Sequence, residues 1–129
     1  MLDHVSLGTK NLARARKFYD RALKPLGIRM VWPVPGYGYG YGESKDAPKF
    51  WIGLPLAKRR KPKACAGSHV AFMAGTRKAV DAFYKAAIKA GGKDNGKPGL
   101  RADYGPNYYA AFAVDPDGYR LEAYCGQAS

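Results

Sequence analysis

Two stretches decide the fold: Asp3-His4-Val5-Ser6-Leu7 and, 65 positions on, Ser68-His69-Val70-Ala71-Phe72. Each sets a histidine at the head of an apolar run that reads as a β-strand. The likeness continues at the same offset. Phe18-Tyr19 matches Phe83-Tyr84, Ala22 matches Ala87, Lys24 matches Lys89 and Gly27 matches Gly92. An offset held over that span marks a tandem duplication, and a duplication sets the architecture.

Working outward, residues 12–24 place Leu12, Ala15, Phe18, Tyr19, Ala22 and Leu23 at helical spacing. Thr9 or Asn11 caps this helix, and Pro25 and Gly27 end it. Residues 28–33 alternate as a strand. In 35–42 glycine and tyrosine alternate, which reads as an irregular strand with tyrosines on one face, or as a ligand-facing loop. A strand over 49–55 closes module one (1–55), and 56–67 form a linker. Module two (68–129) repeats the order. A strand covers 68–74, and Thr76 caps a helix over 77–90 whose stripe is Val80, Phe83, Tyr84, Ala87 and Ile88. Gly91-Gly92 stops that helix. The polar stretch 93–106 holds at most a short strand. Strands over 107–115 and 119–125 flank the turn Asp115-Pro116-Asp117-Gly118. The two modules, each a strand, a helix and three strands, together make one domain over 1–129.

Composition narrows the function. With 129 residues and 47% hydrophobic content, a packed core is expected. A module of roughly 60 residues buries too little surface alone, so the halves should pack on each other or on a second chain. No apolar run approaches the ~18 residues of a membrane span, and no signal peptide is recognisable, so a cytoplasmic protein is expected. Cys65 and Cys125 read as small buried apolar residues rather than a disulfide framework. The net charge of +12 admits nucleic acid, an anionic surface or an anionic substrate. Its densest run, Lys58-Arg59-Arg60-Lys61 with Lys63, falls in the linker and reads as solvated. Arg14, Lys17, Arg21, Lys78, Lys85 and Lys89 sit on helix surfaces without an interleaved aromatic stripe, which argues against nucleic acid.

Strand parity then assigns faces. Val5 and Leu7 share the core side of the first strand, leaving His4 opposite with Ser6. Val70 and Phe72 leave His69 opposite with Ala71. Leu121, Ala123 and Cys125 leave Glu122 opposite with Arg120 and Tyr124. The chain's only two histidines thus hold equivalent places in the repeat. Two imidazoles and one carboxylate match a facial triad for a divalent ion such as Fe, Mn, Zn or Ni. The cysteines do not compete. Cys125 takes the face opposite Glu122, and Cys65 is roughly 13 Å of extended chain from His69.

These motifs, with Phe18-Tyr19 before Leu23-Lys24-Pro25-Leu26-Gly27 and Asp115-Pro116-Asp117-Gly118 before Glu122, resemble the vicinal oxygen chelate superfamily. That group contains glyoxalases, bleomycin-resistance proteins and extradiol dioxygenases. The resemblance implies an α+β fold of two tandem βαβββ modules whose curved mixed sheets surround a cavity. It also implies a homodimer, often with modules exchanged between chains. Metal ligands come from the first and last strands of each module, and His4, His69 and Glu122 take three of the four places. The fourth falls at Trp51 or Gly53, neither of which ligates. This counts against a four-ligand glyoxalase I. It fits an extradiol-type centre with open positions for a small substrate that chelates through adjacent oxygens. The implied function is a metal-dependent enzyme, dioxygenase-like or lyase-like; the alternative is a metal-free, ligand-sequestering binding protein. With no third histidine, a tyrosine must serve as acid–base group, and Tyr104, Tyr108 and Tyr109 are the candidates. Parity places Phe112 and Val114 on the core side and Tyr109, with Ala111 and Ala113, in the cavity. Arg101 can bind a carboxylate or phosphate bidentately, and Tyr108, Tyr109 and Trp51 are further candidate substrate contacts.

Overall fold

Both repeats fold in the expected order, as seen in a computed structural model that describes residues 1–55 and 61–128. Module one contains β1 (Val5–Gly8), α1 (Leu12–Ala22), β2 (Arg29–Val34), β3 (Gly38–Gly42) and β4 (Pro48–Gly53). Module two contains β5 (Val70–Met73), α2 (Arg77–Lys89), β6 (Lys93–Leu100), β7 (Tyr109–Val114) and β8 (Arg120–Cys125). Asn11 caps α1 by accepting from the Arg14 amide at 3.0 Å, and Thr76 caps α2 by accepting from the Ala79 amide at 3.0 Å. Short 3₁₀ turns lie at Lys24–Leu26 and Ala102–Tyr104. Gly27 leaves the first of these at φ 76, a left-handed conformation that glycine adopts without a Cβ clash.

The strands make two mixed four-stranded sheets, ordered β1-β4-β3-β2 and β5-β8-β7-β6. In each, the first strand lies parallel to the last and the remaining pairs are antiparallel. The strands that carry the histidines, β1 and β5, are therefore sheet edges. One face of each sheet packs on the helices. Phe18, Tyr19, Leu23, Tyr41, Ile52, Val80, Phe83 and Leu121 are fully buried in one continuous core, each large apolar side chain contributing about 1.5–3 kcal/mol.

Within the glycine–tyrosine run, Gly38–Gly42 form a strand with a register shift at Tyr41/Gly42, as the irregular-strand reading expects, and Tyr39 and Tyr41 share its helix side while Tyr37 lies exposed in the turn before it. Tyr41 is buried and donates to Asp20 at 2.8 Å, and Tyr39 lies beneath the Arg16 guanidinium. Three expectations are corrected. Residues 93–100 form a full strand, because backbone pairing with β7 needs no apolar pattern and register shifts at Asp94/Gly96 and Gly96/Gly99 absorb the glycines. The parity of β7 is reversed: Ala111 and Ala113 lie in the core under α2, and Phe112 turns to the other face. Cys65 is exposed, whereas Cys125 is buried as expected. Lys58, Arg59 and Arg60 lie outside the described residues, and Lys61 and Lys63 are exposed.

Carboxylates in the turn before β8 hold the modules together. Asp117 accepts from Thr9 Oγ1 at 2.5 Å, from the Lys10 amide at 3.1 Å and from Arg14 Nη2 at 2.9 Å. Asp115 accepts from the Tyr19 hydroxyl and from the amides of Asp117 and Tyr119, both at 2.9 Å. Burial pushes the Asp115 carboxyl above its ordinary range despite these donors. A carboxyl whose pKa is raised on folding binds more protons folded than unfolded, so its contribution to stability falls as pH rises from the unfolded towards the folded pKa. Relative to Asp115→Asn, the wild type should therefore lose stability as pH rises above about 4, as read from urea midpoints. Tyr19→Phe should cost about 1–3 kcal/mol at neutral pH, because a buried carboxylate loses a donor.

Candidate functional site

The face of each sheet turned away from the helices carries the candidate residues. In module two, Ala71 pairs with Glu122 across the parallel β5–β8 ladder. His69, two residues before Ala71, therefore sits diagonally beside Glu122 on the same face. Its Nε2 lies 3.0 Å from Glu122 Oε2, and the Tyr108 hydroxyl donates to Glu122 Oε1 at 2.5 Å. Glu122 is buried at 3% exposure, while the His69 side chain is half exposed. Both carboxylate oxygens are thus engaged, which is what a buried carboxylate requires. The hydrogen bond to Glu122, more than burial, raises the Tyr108 phenol to about 12. Tyr108 is therefore a proton donor at neutral pH.

Module one carries the same construction with different chemistry. Ser6 pairs with Trp51 across β1–β4, and Ser6 is the repeat equivalent of Ala71. The register thus gives Trp51 the place that Glu122 holds in module two. The Trp51 ring covers Gly40, where a Cβ would stand 2.9 Å from it. His4 is exposed, with Nδ1 2.7 Å from Asp3 Oδ2. This contact holds the Asp3 carboxyl below its ordinary range. His4 borders a recess with Asp46, Lys49 and Trp51. Among the described residues no three His, Cys, Asp or Glu side chains converge closely enough to hold a metal ion. Within one chain, then, His69 and Glu122 come together and His4 remains on the other sheet. The donor set of this pair, one imidazole nitrogen beside one carboxylate oxygen, suits a divalent ion and supplies two ligands of the expected three.

The tyrosines divide. Tyr108 reaches the site. Tyr104 is exposed at its rim, its ring edge-on to Tyr108 at 5.2 Å. Tyr109 does not reach it. Its hydroxyl donates to Asp81 on α2 at 2.7 Å and Arg77 lies over its ring, because Tyr109 shares the helix-facing parity of Ala111 and Ala113. The expected catalytic and substrate-contact roles of Tyr109 are corrected on this ground. Tyr124 and Phe112 were missed. Tyr124 stacks on Tyr108 at 4.2 Å, and Phe112 is the direct cross-strand partner of Glu122. Tyr124 had a signal, lying two residues from Glu122 on one strand; Phe112 carried a misleading one, its hydrophobicity. Arg101 lies over the Phe112 ring at 5.4 Å.

A sequence model of the Glyoxalase/Bleomycin resistance protein/Dioxygenase superfamily matches residues 1–123. A glyoxalase/bleomycin resistance protein from Albidiferax ferrireducens T118 is 32% identical and superposes with a TM-score of 0.83, over 97% of this chain and 98% of that one. A family enzyme from Burkholderia phytofirmans PsJN is 20% identical, with a TM-score of 0.70 over 97% and 98% of the two chains. The E144Q variant of glyoxalase I from Zea mays is 24% identical, with a TM-score of 0.71. That match covers 95% of this chain but 46% of the maize chain. No curated protein matches the sequence.

The Tyr108 assignment is open to a spectroscopic check. Up to about pH 11, tyrosinate absorbance should be the same in wild type and Tyr108→Phe, because the phenol that the substitution removes stays protonated there. A loss of signal centred near pH 10, the ordinary tyrosine value, would refute the Tyr108–Glu122 bond.

Proposed function

Because the chain belongs to the glyoxalase/bleomycin resistance protein/dioxygenase superfamily, we propose that it is a divalent-metal-dependent enzyme acting on a small molecule with adjacent oxygens. The observation that carries this reading is the convergence of His69 and Glu122 on the open face of β5 and β8. His69, Glu122 and the His4 of a second copy would hold the ion. When bound, it would serve as a Lewis acid on the substrate oxygens. Glu122 supplies the charge that balances the cation. Tyr108 occupies Glu122 Oε1 and leaves Oε2 to face His69 Nε2. Trp51, at the place of a fourth ligand, leaves that side for substrate. With its one proton given to Glu122, the Tyr108 oxygen is left as an acceptor for a substrate hydroxyl. A dioxygenase-like or lyase-like reaction fits this arrangement.

The homodimer belongs to the same proposal. Edge strands β1 and β5 flank a recess of ≈ 410 Å³ lined by Val5, Phe50, Val70, Phe72 and Met73. Leu2 and Met73 beside these edges are strongly exposed, and an uncovered apolar edge invites pairing. Laying β1 of one copy beside β5 of another would bring His4 and Trp51 towards His69 and Glu122. A second reading, a metal-free binding protein, is favoured by one feature: Glu122 is already satisfied by His69 and Tyr108.

Calorimetric titration with Mn(II) or Zn(II) should give about one ion per site, weakened ~100-fold or more by Glu122→Gln, beyond the 10–100-fold typical of outer-shell changes. Equal affinity in wild type and in variants of His4, His69 and Glu122 would favour the binding protein. A mixture of His4→Ala and Glu122→Ala chains should recover tight binding at one site of each mixed dimer. No recovery in a mixture shown to contain mixed dimers would defeat the shared site.

A further inference from the structure

Beside the His69–Glu122 pair, the same sheet face holds a cation that no carboxylate among the described residues neutralises. Arg101 follows β6 directly, and its Nη2 donates to the Lys97 carbonyl at 2.7 Å. Its guanidinium lies over Phe112, in a trough left by two glycines of β6. A Cβ at Gly96 would stand 2.9 Å from Phe112 Cδ2 and 3.3 Å from Arg101 Nη2; one at Gly99 would stand 3.2 Å from Nη1. The Arg101 amide donates to the Tyr108 carbonyl at 2.8 Å, which closes the intervening loop at its neck. Among the described residues no carboxylate pairs with Arg101.

These neighbours form a continuous surface. Phe112 faces Glu122 across β7–β8, at a cross-strand side-chain spacing of about 5 Å. Tyr108 reaches Glu122 and stacks on Tyr124. The carboxylate centre therefore sits on an aromatic shelf with an immobilised guanidinium one side chain away. A planar guanidinium with donors to spare recognises a carboxylate bidentately, and pre-ordering it lowers the entropic cost of binding.

We propose that this face binds a small, flat carboxylic acid, its carboxylate on Arg101 and its ring on Phe112 and Tyr108. Its far end, bearing adjacent oxygens, reaches His69 and Glu122. Only the assignment of the reacting end rests on the metal-centre reading above; recognition of the acid does not. The excess of positive charge on the chain, +12, favours the same class of ligand.

The test compares 3,4-dihydroxybenzoate with 3,4-dihydroxybenzamide, which differ at the carboxylate alone, by calorimetry on the full chain in the presence of a chelator. Wild type should prefer the acid ~10-fold or more, as charge-assisted hydrogen bonds do. Arg101→Gln should bring the ratio to about 1, and Arg101→Lys should keep only part of it, since an ammonium cannot pair bidentately. If Arg101 merely staples the β6 bulge, Arg101→Gln will lower thermal stability and weaken both probes alike, which overturns the proposal. Equal affinities in wild type, no binding of either probe, or a preference that survives Arg101→Gln also overturn it. Mn(II) titration separates the two readings. Arg101→Gln should bind the ion as wild type does; a wild type that binds no ion defeats the metal centre while the acid-to-amide ratio still decides this one.

Discussion

The carboxylates of Asp115 and Asp117 determine which faces of the two modules meet. Thr9, fully buried, and Arg14 bring the start of α1 onto Asp117, and Tyr19 in the middle of α1 meets Asp115. These bonds commit the helix-bearing sides of both modules to one shared core. Phe50 of β4 and Phe72 of β5 meet there edge to face at 5.3 Å. The opposite faces of both sheets consequently turn outward, as do the edges β1 and β5. The β5–β8 pairing brings Glu122 to His69, and this packing of the modules leaves that pair and His4 on the outward faces of separate sheets.

Duplication has preserved geometry and let chemistry diverge. Ser6–Trp51 and Ala71–Glu122 are the same register position of the same parallel ladder. In module two a buried carboxylate stands there, held by an imidazole and a phenol. In module one an indole stands there, and Gly40 beneath it provides the space. Glycines alternating along β3 thus have a structural cause on each side. Tyr39 and Tyr41 fill the helix face; opposite, Gly40 leaves room for Trp51, while Gly38 and Gly42 lie against the Ile52 and Ala47 carbonyls.

How much the sequence reveals depends on whether apolar patterning or packing distance decides a position. The duplicated strands, both helices with their caps and the turn at 115–118 are patterned by hydrophobicity and cap chemistry, and they appear where the residues indicate. The faces of β5 and β8 are equally legible, which is why His69 and Glu122 meet. On β7 packing distance decides. Helix α2 lies close over that strand and accommodates the small Ala111 and Ala113, whereas Phe112 needs the room of the open face. A rule that sends the largest apolar residue inward therefore assigns β7 backwards and carries Tyr109 with it. Strand β6 is hidden for a related reason, because its pairing uses backbone alone and its glycines serve the Arg101 trough.

The chemistry open to His69 follows from which nitrogen faces Glu122. Nε2 points at Oε2, and that nitrogen can hold either a proton or a metal ion, never both. With a proton, it makes a hydrogen bond that helps satisfy a buried carboxylate. Under the proposal of a metal centre, that nitrogen's lone pair and Oε2 would be the two ligands this chain supplies. Tyr108 need not move in either state, since it binds the other oxygen. On the metal-centre proposal, proton and ion would compete for one nitrogen, and a neutral ring would then carry its proton on Nδ1 instead of Nε2. The sheet that buries Glu122 and the phenol that holds it supply the rigidity. The edge position of β5 leaves His69 accessible, and the proposed centre would be completed from outside its own sheet.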